Sequence, residues 1–354
     1  MNKLTIILTI KDRGDFTLRW MKYMNDQSCQ YKILIADGGA DKLIEKRLQD
    51  SKNYPNLKYE YLRYTYDKTI EDFYKKLKNV CERVETEYLL LADNDDFYLI
   101  DQIAEYIKFL DSNADYSGCR GSAALLTLKS KKGNIVTESI SDNYIAIQIK
   151  NKSIENTEPV DRMRSFFDET FKYDHLFYYY SIFRSKSIIS SMNCLFNYNF
   201  NDVVLNELLL ALQVLREGKI KVFKKLFYVR QEATSQLAAS YNNNHNLLEK
   251  FIINDVFHNF NNFIISENLV NQEKDRINIL KGFAVFIGQW CINSREYRNI
   301  SYIEKQQGVF KNILKRNNLI YKCLILFKNY FITSGQNKIT KISFVENYIL
   351  KSKL

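Results

Sequence analysis

Apolar runs that alternate with helical patterns predict an α/β protein on a mainly parallel sheet with helices on both faces. Three observations carry this prediction. Residues 4–10, 32–36 and 88–92 are short, β-rich apolar runs with polar residues after them. The segment carrying Ile70, Phe73, Tyr74, Leu77, Val80, Cys81 and Val84 repeats its apolar residues at helical spacing, with charges opposite. With 46% hydrophobic residues, 2 prolines and 11 glycines, the chain has the composition of a packed domain rather than a disordered one.

The elements follow in order. Leu4-Thr-Ile-Ile-Leu-Thr-Ile10 reads as a buried strand and 16–24 as a short helix with Asp15 as its cap. The second strand closes at Asp37-Gly38-Gly39, and 57–62 forms a third after Pro55-Asn56. The strong helix near 70–84 leads into a fourth strand, 88–92, and another helix begins near Leu99. Residues 130–160 are polar, with a hairpin turn at Lys131-Lys132-Gly133-Asn134. An aromatic segment spans 166–183, a helix spans 203–216 before Gly218, and 219–230 reads as a late strand pair or a single strand. The polar stretch Tyr241-Asn-Asn-Asn-His-Asn246 marks a boundary, giving residues 1–240 as the α/β domain and 241–354 as a helical, basic C-terminal region.

Composition excludes several classes. Six scattered cysteines form no C-x-x-C pair and three histidines no H-x-x-x-H, so a zinc site is not expected and the thiols read as reduced and buried, as in the cytoplasm. The N-terminal apolar run is short and ends in Lys11-Asp12-Arg13, which fits a strand better than a signal peptide. No run approaches the roughly 18 apolar residues of a membrane span. Net charge is +10, but residues 301–354 hold ten Lys/Arg against two acids, leaving the rest near neutral. That distribution argues against a nucleic-acid partner.

The chemistry gathers at strand ends, which share one edge in a parallel sheet and there form ligand sites. Asp93-Asn94-Asp95-Asp96 puts three acids in four residues at such an end. So much buried charge calls for a cation or donor groups. Carboxylates suit hard Mg²⁺ or Mn²⁺, which bring phosphates with them. Asp96 alone also reads as a cap for the following helix. Neither G-x-G-x-x-G nor G-x-x-x-x-G-K-[ST] is present, which removes dinucleotide and P-loop readings.

Ile6 to Arg13, then Ile35-Ala36-Asp37-Gly38-Gly39, then Leu90-Leu91-Ala92-Asp93-Asn94-Asp95-Asp96 together resemble the GT-A fold glycosyltransferases of family 2 type, over about residues 3–240. The resemblance implies an inverting transferase that uses a nucleotide-sugar donor, typically a UDP-sugar, with Mn²⁺ or Mg²⁺. It places Thr9, Lys11 and Arg13 along the nucleotide pocket and Asp37 on the base. Asp93 and Asn94 fall by the ribose or sugar, and Asp95, with Asp93, on the metal. Arg230 or Gln231 falls where the family carries a His or basic residue near the diphosphate, and reads equally as a polar loop. Lys68, at the start of the strong helix, reads as a phosphate contact or, more simply, as an exposed lysine. Inverting transfer needs a base for the acceptor hydroxyl. The resemblance puts it at Phe200-Asn201-Asp202, where Asp202 is the candidate; a helix cap is the other use of that residue. Tyr173, His175 and Tyr178 read as an acceptor platform or as core.

Residues 318–332 mix apolar residues with lysines and suit an anionic membrane surface, a core helix or self-association. Expected partners are thus a nucleotide sugar, a glycan or lipid-linked acceptor as in bacterial surface polysaccharide synthesis, the inner face of the cytoplasmic membrane through residues 301–354, and a second copy of the chain. A nucleotidyltransferase on a similar sheet and a non-catalytic glycan- or membrane-binding protein are the competing classes.

Overall fold

The computed structural model describes residues 3–129, 143–149, 152–173, 175–198, 202–232, 256–270, 272–293 and 339–340. Their elements fall into two compact units.

The first unit is the sheet and its helices. Strands β1 (Leu4–Ile10), β2 (Lys32–Asp37), β3 (Lys58–Arg63) and β4 (Tyr88–Asp93) are parallel, in the order β4-β1-β2-β3. Every residue of β1 is buried, as its unbroken apolar run requires of a strand covered on both faces. Pairing register sets the edge: Thr9 lies opposite Asp93 on β4, and Ile10 opposite Asp37 on β2.

Helices α1 (Gly14–Asp26), α2 (Lys42–Gln49) and α3 (Ile70–Glu82) connect these strands in turn, and α4 (Ile103–Ser112) follows the fourth. Helix α1 is not capped by Asp15, which lies in its first turn. Its N-cap is Arg13, in the left-handed region at φ 55° and with no side-chain cap. Helix α3 starts on a reciprocal box in which Thr69 and Asp72 satisfy each other's backbone N–H.

The sheet continues beyond β4 through short β8 (Ile182–Arg184), antiparallel to β4, into the long β6 (Tyr116–Lys129). Strand β6 pairs antiparallel with β7 (Asn143–Ile149) and parallel with β9 (Lys219–Glu232). Two-residue β5 (Phe97–Tyr98) pairs with β9, and β10 (Ile339–Thr340) with β7. Strand β6 escapes sequence reasoning because Gly, Ser and Ala fill its first half, a poor β composition. Its neighbours on both sides hold it instead. At Gly121 a Cβ would run into the Lys225 carbonyl and the Tyr106 hydroxyl, and the β6–β9 register shifts there, the mark of a bulge that only glycine fits. Helices α6 (Ser185–Tyr198) and α7 (Val203–Glu217) complete this unit. The hairpin turn read at Lys131-Lys132-Gly133-Asn134 lies outside the described residues.

The second unit contains α5 (Pro159–Tyr173), α8 (Val256–Ser266) and α9 (Glu273–Asn293). Phe260 of α8 stacks on Phe283 of α9, with centroids 3.8 Å apart. Gly282 lets α9 approach the Phe167 ring of α5 closely. Apart from Ile339 and Thr340, residues 301–354 lie outside the described residues, and no described helix is long and apolar enough to cross a membrane.

Candidate active site

The carboxyl edge of the sheet brings the acids together. Asp93 is the last residue of β4, and the chain turns through Asn94, Asp95 and Asp96 into β5. Asp93, Asp95 and Asp96 each offer a carboxylate oxygen within 4.8 Å of the others. All three are held. Asp93 accepts from the Tyr180 hydroxyl at 2.8 Å and from Thr9 Oγ1 at 3.4 Å. Asp95 Oδ2 meets Arg13 Nη1 at 3.0 Å. Asp96 accepts from the Tyr228 hydroxyl and from the Gln231 backbone N–H. Asn94 donates to Thr17 Oγ1 at 2.9 Å, which fixes the turn against α1.

Asp96 is therefore no helix cap. Pairing of β5 with β9 carries Tyr228 and Gln231 to it, a contact across more than a hundred residues of chain. Burial, then the neighbouring Asp95 charge, push the Asp93 and Asp96 carboxyls above their ordinary range. Burial and the same acids push the Tyr180 and Tyr228 phenols up too, so both remain proton donors. The two rings stack at 4.5 Å and 14°. Arg230 lies 5.9 Å over the Tyr180 ring. Arg19, 1% exposed, donates to the Asp95 carbonyl and to Gln231 Oε1; burial lowers its pKa to about 9.

A hard divalent cation fits this donor set. Three carboxylates converge, and the carboxylate of Asp95 has Arg13 as its one side-chain partner among the described residues.

A pocket opens against the triad. Thr9, Lys11, Arg13, Asp93, Asn94, Asp95 and Arg230, all read from the sequence, line it together. Gln231 stands behind it, bonded to Arg19 and through its N–H to Asp96. Asp37, at the end of β2, is held by Arg63 at 2.8 Å, by the Tyr61 hydroxyl at 2.5 Å and by the Gly39 N–H at 2.7 Å. Lys68 is exposed and does not line the pocket. Asp202 is 1% exposed and caps α7, accepting from the N–H groups of Val204 and Leu205. From that helix it is Val203 and Glu207 that line the pocket. Tyr178 is core, 1% exposed; the side chains of Tyr173 and His175 lie outside the described residues. Sequence reasoning missed Tyr180, Tyr228, Arg19, Tyr74 and Glu207. None stands at a strand end or in a motif, and each reaches the site through a tertiary contact.

The carboxyl edge of this α/β sheet thus presents an acid triad against a polar, aromatic-lined pocket. Among solved structures the chain is similar to residues 1–349 of TarS from S. aureus, with a TM-score of 0.50 and 14% identity over 91% of this chain and 80% of that one. It also matches TarS 1–349 in complex with UDP-GlcNAc (TM-score 0.45, 15% identity, 79% and 71% covered). A third match is the mannosyltransferase PcManGT from Pyrobaculum calidifontis in complex with GDP-Man and Mn²⁺ (TM-score 0.43, 10% identity, 94% and 88% covered). No family model matches the sequence. No curated protein does either. At 14% identity the likeness to TarS is one of fold, and the fold is GT-A, as the strand-end pattern led us to expect.

Proposed function

We propose that this chain is an inverting glycosyltransferase that moves a sugar from a nucleoside-diphosphate donor, a UDP-sugar first among the candidates, to a glycan or lipid-linked acceptor. The observation that carries the proposal is the convergent triad Asp93, Asp95 and Asp96 at the carboxyl edge of a GT-A sheet, sharing one pocket with Thr9, Lys11, Arg13 and Arg230. A bound Mn²⁺ or Mg²⁺ supplies charge neutralisation to the leaving diphosphate. Asp95 and Asp93 would hold it, with Tyr180 orienting the Asp93 carboxylate and Tyr228 that of the neighbouring Asp96. Lys11, Arg13 and Arg230 line the pocket as cations for the phosphates. Asp37, held by Arg63 and Tyr61 at the end of β2, is not among the residues that line the pocket, and in this reading it meets the base beyond them.

The acceptor hydroxyl must give up its proton as it attacks, and α7 supplies the carboxylate for this. Asp202 is the candidate from sequence; Glu207 is the acid of the same helix that lines the pocket. Basic residues 301–354 serve as the contact with an anionic membrane surface, which suits a lipid-linked or growing-polysaccharide acceptor.

The experiment is a thermal-shift series with UDP, GDP and their sugar conjugates, with Mn²⁺ and with chelator. A ligand that binds the native state stabilises it by about 2.7 kcal/mol at a hundredfold excess over Kd. The expected outcome is a nucleotide-dependent rise in Tm that chelator removes and Asp95→Asn diminishes. A flat series for every nucleotide sinks the proposal.

A further inference from the structure

The guanidinium of Arg13 stands where a cation is wanted. Its Nη1 meets Asp95 Oδ2 at 3.0 Å, and its side chain is 18% exposed. The group lies over the Phe16 ring with its Cζ 4.1 Å from the centroid. Its remaining donors, Nε and Nη2, are buried without a hydrogen-bond partner. Buried guanidinium donors seldom stay unpaired, because the lost hydration is not replaced. The backbone is also unusual: Asp12 and Arg13 both hold positive φ, at 54° and 55°, immediately before α1. The turn thus puts a charged residue into a conformation that favours glycine.

Asp96 has both carboxylate oxygens engaged by protein donors, and Asp93 likewise. Asp95 is bound on its carboxylate by Arg13 alone among the described residues. A divalent cation at the triad therefore competes with Arg13 for Asp95, since two like charges do not share one carboxylate face without mutual repulsion. An arginine released from Asp95 has a planar fork of donors, two of them already unpaired, which matches two oxygens of a diphosphate.

Resting on the transferase reading above, we propose that Arg13 is a placeholder cation. It holds Asp95 in the absence of ligand, yields it to the incoming metal, and transfers its guanidinium to the diphosphate. The consequence is coupling. Metal alone displaces Arg13 and leaves it without an anion, whereas metal with diphosphate gives every charge a partner. Each ligand then raises the affinity for the other, and by the same factor.

The test is calorimetric titration of Mn²⁺ into the full chain, alone and with UDP or GDP present, for the native sequence, Arg13→Gly and Arg13→Lys. Glycine suits the positive φ, so Arg13→Gly keeps the turn, and a melting curve checks the fold. In the native chain the nucleotide tightens Mn²⁺ binding roughly tenfold or more, within the usual range of couplings. In Arg13→Gly, Mn²⁺ alone binds tighter than to the native chain, and the coupling falls towards unity. In Arg13→Lys the charge remains but the fork is gone, so Mn²⁺ alone binds as in the native chain and the coupling is reduced. Mn²⁺ binding that is unchanged or weaker in a folded Arg13→Gly overturns the placeholder role and leaves the transferase reading standing. A native chain that takes Mn²⁺ but no nucleotide removes both.

Discussion

Asp96 and Asp202 illustrate how one residue type serves two purposes. Each follows a strand or loop and precedes a helix, and an aspartate there is read from sequence as a cap or as chemistry. The structure makes Asp202 a cap, bonded to two amides of the first turn of α7. Asp96 instead joins the β4 end to β9. Capping and base chemistry separate in Asp202→Asn, because asparagine caps as well as aspartate does. With Asp202 as base, kcat falls by roughly 10²–10⁴-fold while Tm stays in place, and Asp202→Ala loses about 1 kcal/mol of stability as well. Native turnover in Asp202→Asn, with loss in Glu207→Gln, transfers the role to Glu207. The thiols give a simpler prediction at this scale. Burial pushes Cys29 up to about 11 and Cys81 and Cys119 further. All three are fully buried. A thiol-reactive reagent at neutral pH therefore leaves them unmodified until the chain unfolds, as mass spectrometry of labelled peptides would read.

At the scale of elements, α3 is the best example of pattern and exception together. Its apolar spacing predicts the helix, and the Thr69–Asp72 box starts it within a residue or two of the first apolar position. What periodicity misses is Lys76, which lies on the buried face, 3% exposed. Its ammonium donates to the Ile10 carbonyl at 3.0 Å and pairs with Asp67, tying the end of β1 to the loop after β3. Burial pushes the Asp67 carboxyl up and the Lys76 ammonium down, so the pair is maintained by mutual contact against desolvation. Removing one partner leaves a buried charge alone. Lys76→Met is expected to cost about 3–5 kcal/mol in urea unfolding, whereas Lys76→Met with Asp67→Leu recovers most of that loss. The pair also sits against Gly38, where any Cβ would collide with the Asp67 side chain. That collision gives the Asp37-Gly38-Gly39 turn a packing reason which the sequence alone presents only as a turn signal.

For the molecule as a whole, charge is the feature most unevenly placed. The ten basic residues against two acids in 301–354 supply most of the net +10. In the proposed role this region gathers the chain to anionic lipid. The full chain is expected to sediment with phosphatidylserine-containing vesicles and to be released as salt rises, since screening weakens such attraction within a Debye length. Equal sedimentation with neutral vesicles would argue against the electrostatic contact. Chain order and spatial grouping also part company at this scale. Helix α5, taken from inside the first 240 residues, packs with α8 and α9, while Ile339 and Thr340 pair with β7 of the sheet.

The sequence by itself determined the four parallel strands, the helix after the third of them, and the edge on which Thr9, Asp37, Asp93 and Asp95 stand. Those follow from periodicity and from strand ends, which are local and repeat over short windows. Only the tertiary structure decided what holds the acids and which cation faces Asp95. Tyr180 enters from the segment before β8, Tyr228 and Gln231 from β9, and Arg13 from a left-handed turn. Nothing within a few residues of Tyr180 or Tyr228 marks them, and the positions that mark Arg13 and Gln231 do not say which acid each one meets. Their roles come from strand pairing across long stretches of chain, and a burial-driven contact between distant residues leaves no periodic trace in either partner's neighbourhood.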